Sequence, residues 1–137
     1  MSKLLTFDQA VQLKKLGYNK GSYNFYLFDK AKETEDSLTE HGKFENWNLL
    51  DHLNLHIGYA TAPTVSEALD WIREEKGVML AVELESKRSR LGEIIGYEYG
   101  GAYIDDKGKD VWLPTHPTHP LAESALLNAV LDYLSIK

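Results

Sequence analysis

Apolar residues fall at helical spacing in three stretches of the chain and alternate with polar ones in several others. The first helical stretch is Phe7, Ala10, Val11, Leu13 and Leu16. Thr6-Phe-Asp-Gln9 ahead of it has the form of a capping box, and Gly17 behind it supplies a left-handed stop, so a helix is predicted from Phe7 to Leu16. The second is Val65, Ala68, Leu69 and Ile72, widened by Trp71. Thr64-Val-Ser-Glu67 repeats the capping box, Pro63 keeps Ala62 out of the helical region, and Gly77 ends the segment. The third is Ala122, Ala125, Leu126, Ala129, Val130, Tyr133 and Leu134, with Thr118 as cap and Pro120 in the first turn, where no N–H is needed.

Strand signals lie between these helices. Tyr23 to Phe28 is dense in aromatic residues on both sides of a period of two, which predicts a strand buried on both faces. Asp29 to Gly42 is polar, carries both charge signs and has no period, so it reads as an exposed loop. From Phe44 to Pro63, Trp47, Leu49, Leu50, Leu53, Leu55 and Ile57 are too many large apolar groups for a solvated loop. His52, Asn54 and His56 alternate with Leu53, Leu55 and Ile57 as in a short strand, although the leucine spacing also fits a helical turn. Val78, Leu80, Val82 and Leu84 alternate with Met79, Ala81 and Glu83 in a clear strand. After a polar connection, Ile94 to Tyr99 leads through Gly100-Gly101 into Ala102 to Ile104, and the turn Asp105 to Asp110 returns the chain as Val111-Trp-Leu113. The fold class is α+β: a single domain over 1–137, with three helices on an antiparallel sheet in the order α-β-β-α-β-β-β-α. From Thr64 onward, that order is also the order of double-stranded RNA-binding domains.

Composition narrows the function classes. A chain of 137 residues can bury a core unaided, and a hydrophobic share of 43% argues for a folded chain. The absence of cysteine removes disulfides, thiolate metal sites and a thiol nucleophile. No apolar core of signal-peptide length precedes Asp8, and no run approaches the roughly 20 residues that cross a bilayer. The expectation is a cytoplasmic chain without membrane contact. The net charge of −6 is concentrated after residue 63, where thirteen acidic residues face eight basic ones. Such a field repels phosphate backbones, so nucleic acid would need a local basic patch.

Three groups of residues carry candidate chemistry. His52 and His56 stand four apart, and His116 and His119 three apart. On a strand, four residues span about 13 Å, too far to share one metal ion, so His52 and His56 could do so only on a helix, whereas the proline-bounded turn at His116-Pro-Thr-His119 could bring two rings together, with Asp110 or Glu123 as a third ligand. Lys87, Arg88 and Arg90 would occupy the loop where double-stranded RNA-binding domains touch RNA, but the last helix opens His-Pro-Leu-Ala-Glu and lacks the basic start that phosphates require. Tyr97, Tyr99, Tyr103 and Trp112 fall on adjacent strands, and aromatic residues with a polar handle favour interfaces. No nucleophile elbow and no glycine-rich phosphate loop with a following helix is present, so the sequence points away from an enzyme and implies no cofactor.

Two likenesses complete the reading. Thr6-Phe-Asp-Gln-Ala echoes Thr64-Val-Ser-Glu-Ala within the chain, as any capped amphipathic helix would. Leu13-Lys-Lys-Leu-Gly17, Trp47-Asn48, Ala62-Pro63-Thr64, Glu67-Ala68, Trp71-Ile-Arg-Glu74 and Ala122-Glu-Ser-Ala-Leu-Leu127, taken with the first helix start, resemble short uncharacterised proteins of gut bacterial genomes and their phages. The resemblance implies a phage or mobile-element setting and brings no catalytic residues. The function expected is therefore a non-enzymatic accessory protein that binds another protein or its own copy through a sheet edge or the aromatic residues. A nucleic-acid module using Lys87, Arg88 and Arg90, and a metal protein using His116 and His119, are the alternatives.

Overall fold

A computed structural model describes residues 3–53 and 55–136, with the backbone alone at 51–53. The elements are α1 (Phe7–Lys15), β1 (Ser22–Asp29), β2 (Thr34–Glu45), a 3-10 helix (Trp47–Leu53), β3 (Ile57–Thr61), α2 (Val65–Glu75), β4 (Leu80–Arg88), β5 (Ile94–Ile104), β6 (Asp110–Trp112) and α3 (His119–Ser135). The fold is α+β, and the order α-β-β-α-β-β-β-α runs through it with β2 added. All pairing is antiparallel, and the six strands divide into two sheets, ordered β2-β1-β3 and β4-β5-β6.

Both capping boxes form. Thr6 Oγ1 accepts from the Gln9 N–H at 3.3 Å while Gln9 Oε1 accepts from the Thr6 N–H at 2.9 Å, and Thr64 and Glu67 repeat the exchange at 3.2 and 3.0 Å. Gly17 and Gly77 take the left-handed conformation just past α1 and α2. Just ahead of these helices, the chain segments pair with each other: the Leu5 N–H donates to Pro63 O at 3.0 Å, and the Val65 N–H to Lys3 O at 2.7 Å. Two helix starts are thereby tied to one another.

β1 is buried on both faces, as its aromatic residues require. On one side Tyr26 and Phe28 meet Phe7 of α1, with ring centroids 5.6 and 5.7 Å apart. On the other, Phe25 lies under Trp47 at 4.3 Å, and the Trp47 indole N–H donates to Ser22 O at 2.6 Å. Trp47 stands at the start of the 3-10 helix, so the alternation around His52 does not make a strand; β3 begins only at Ile57. Asn48 fixes that helix by exchanging hydrogen bonds with Thr61, 2.8 Å to its N–H and 3.1 Å to its hydroxyl, while its amide donates to Tyr18 O. The His52 side chain lies outside the described residues. The other correction is β2: residues expected in a loop form a twelve-residue strand that is exposed along almost its whole length. A strand with neither face covered needs no apolar alternation, and so gives no periodic signal.

α3 is the element that the rest surrounds. It touches β4 and β5 on one side and α1 and α2 on the other, with Leu126, Leu127, Val130 and Leu131 fully buried. One core cluster joins these leucines to Leu13, Tyr26 and Phe28 from the first sheet's side and to Val78 and Leu80 from the second. Gln9 adds a polar tie, its Nε2 donating to Asn128 Oδ1 at 2.8 Å. No helix among the described residues is long and apolar enough to cross a membrane.

Candidate functional site

The pleat of β4-β5-β6 sorts its residues onto two faces. Leu80, Val82 and Leu84 lie opposite Tyr103, Gly101 and Tyr99, on the side that α3 covers. Contact there is close: a Cβ on Gly101 would stand 2.9 Å from Leu126 Cβ. The opposite face carries Ala81, Ala102 and Trp112 as one row across the three strands, with Glu83 opposite Gly100 beside it.

That second face holds a groove of about 450 Å3. Its floor is small, Ala81 and Ala102, and its walls are large: Met79, Ile104 and Trp112. Met79, just ahead of β4, is 66% exposed and Trp112 of β6 is 58% exposed, which is high for large apolar side chains. Glu83 and Asp110 stand on the rim. Arg73, from the last turn of α2, closes one end and is held by Asp70 at 2.8 Å and by Leu80 O at 3.2 Å. Further along the face, Glu98 accepts from Lys87 Nζ at 2.8 Å and from the Thr115 hydroxyl, and these two donors hold its carboxyl below the usual carboxylate range. The face is an apolar trough with an acidic border.

The four aromatic residues singled out by sequence do not share one surface. Tyr97, Tyr99 and Tyr103 are on the α3 side: Tyr103 meets the Tyr133 ring at 5.2 Å, Tyr99 meets His119 at 5.5 Å, and Tyr97 is exposed. Burial raises the Tyr103 hydroxyl above its ordinary pKa, with Tyr133 and Asp105 adding to the effect. Trp112 points the other way, because it pairs with Ala102 and shares its face. The turn between β5 and β6 sets this parity, and a shift of one residue would reverse it. Met79, Ala81, Ala102 and Ile104 are groove residues that sequence reasoning left as the plain face of a strand. Their signal was the small-residue pair, which opens a trough only where no helix covers it.

Most of the remaining groups have local partners. His119 Nδ1 lies 3.5 Å from Glu123 Oε1, while His116 bridges through its backbone to Tyr99, and no three His, Asp or Glu groups converge as a metal site among the described residues. Of the basic residues, Lys87 is engaged with Glu98, Arg88 donates to Gly92 O at 2.7 Å, and Arg90 is exposed at the hairpin tip. Comparison with protein-family models, curated proteins and solved structures finds no match, so the groove is read from its own geometry.

Proposed function

We propose that this protein is a non-enzymatic interaction module, which takes a segment of a partner protein into the groove on β4-β5-β6. The observation that carries the reading is the exposed Trp112 beside the small floor of Ala81 and Ala102. Such a trough receives a protruding apolar side chain, and a tryptophan at its wall supplies much of the contact area. Glu83 and Asp110 at the rim favour a partner that carries lysine or arginine next to that side chain. The rigid sheet pre-forms the site, so little ordering is lost on binding.

A photo-crosslinking residue placed at Ala102 should capture one specific protein in cells, and Trp112→Ala, with its circular dichroism spectrum unchanged, should abolish that capture. A control probe at Asp132, on the exposed side of α3, should capture nothing in common with it. Equal capture from both positions, or capture indifferent to Trp112, would remove the groove from consideration.

A further inference from the structure

We propose that the chain pairs with a second copy of itself, edge to edge and antiparallel, through β4. The pairing uses the strand's edge rather than the groove face and holds whether or not the groove takes a partner.

The phase of the ladder decides what the edge offers. The Ile104 N–H donates to Met79 O at 2.9 Å, and pairing continues through Ala81 with Ala102 and Glu83 with Gly100. Odd-numbered residues of β4 therefore turn their backbone groups toward β5, and even-numbered ones turn theirs outward. Arg73 takes Leu80 O. Val82 still lies beside α2, near Ser66 and Asp70; beyond it, Leu84 and Ser86 present N–H and C=O groups on the open side of a sheet whose edge is β4. Natural edges are often blunted by proline or an unpaired lysine. β4 has no proline, and its Lys87 is drawn across the ladder to Glu98.

Charge then selects the occupant and its alignment. Along one face of β4 the order is Glu83, Glu85, Lys87, so the strand is acidic first and basic afterwards. An antiparallel copy reverses that order and brings opposite signs together. If Leu84 met its own copy, Glu83 would face Glu85; if Glu85 did, two glutamates would coincide. With Ser86 opposite Ser86, each Glu85 faces the Lys87 of the second copy, and each Lys87 stands between that glutamate and its own Glu98. On the other face, Leu84 is 58% and Tyr97 57% exposed, and Tyr97 lies beside Ser86. The pairing gathers four such side chains from two copies around its axis. Two three-stranded sheets become one of six.

Sedimentation velocity over a concentration series tests this. The wild-type chain should shift from monomer toward dimer. Glu85→Lys and Lys87→Glu should each weaken self-association by about tenfold or more, because each alone sets like charges opposite one another. An equimolar mixture of the two variants should restore the dimer, since each variant then faces its complement. Ser86→Pro, which removes only an outward N–H from an edge strand, should leave a folded monomer. A wild-type chain that stays monomeric throughout the series overturns the proposal. So does a mixture no more associated than its parts, or a Ser86→Pro variant that dimerises like the wild type.

Discussion

Gly101 fixes how closely α3 can lie on β5. The atom that a side chain would meet there is Leu126 Cβ at 2.9 Å, next to the helix backbone and unable to swing aside. Gly101→Ala should therefore cost about 1–3 kcal/mol, by overpacking. Urea melts should report it as a lower midpoint at unchanged slope. Tyr18 makes a different demand. It is 4% exposed, its ring meets Trp71 at 5.2 Å, and burial, with the Glu67 carboxylate adding, pushes its hydroxyl well above the ordinary tyrosine range. Tyr26, which donates to Leu5 O at 2.8 Å, is raised by burial too, with Glu35 adding. Above about pH 10 the unfolded chain releases these protons and the folded chain keeps them, so stability present below that pH falls as pH rises. Melts taken between about pH 9 and 11 should show that fall, and Tyr18→Phe should make it shallower by up to about 1.4 kcal/mol per pH unit. An unchanged slope would mean that Tyr18 titrates freely in the fold. At this scale neither the burial of Tyr18 nor the turning of Trp112 away from Tyr97, Tyr99 and Tyr103 was legible, because parity across a turn and proximity to a distant glutamate have no local signature.

Helices were legible because each announces itself locally. Thr6 with Gln9, Thr64 with Glu67, and Thr118 with Pro120 mark starts that the backbone then makes. Strands were legible where one face is covered, as in β4, and illegible in β2, where neither is. The segment after β2 misled for a third reason: alternation around His52 and the packing of Trp47 competed, and packing prevailed. Trp47 covers Phe25, donates to Ser22 O and starts the 3-10 helix, so Trp47→Ala should cost about 3–5 kcal/mol. Methyl NMR shifts should then move in β1 and β3 and stay fixed in β6. Comparable shifts in β6 would show that the two sheets respond as one body.

For the whole molecule, the class and the antiparallel pairing were legible, whereas the partition of strands into two sheets depends on contacts between distant residues. The internal echo ends at the caps. Both α1 and α2 are followed by three strands, yet β1 is central in one sheet and β5, the second of its three, in the other. A copied unit would place the same strand at its centre. Lys87 and Arg88, two of the three bases expected to meet a phosphate backbone, are engaged instead by Glu98 and by the Gly92 carbonyl.

The bond from Gln9 to Asn128 spans 119 positions, and the helix that carries Asn128 also supplies Leu126, Leu127, Val130 and Leu131 to the core. Synthesis proceeds in one direction. A nascent chain that has emerged as far as β6 already displays Leu13, Tyr26, Phe28 and Ile72, while the leucines meant to cover them are still unmade. The core that α3 closes must wait until nearly all of the described chain has left the ribosome, and in that interval its apolar surface is open to holdase chaperones.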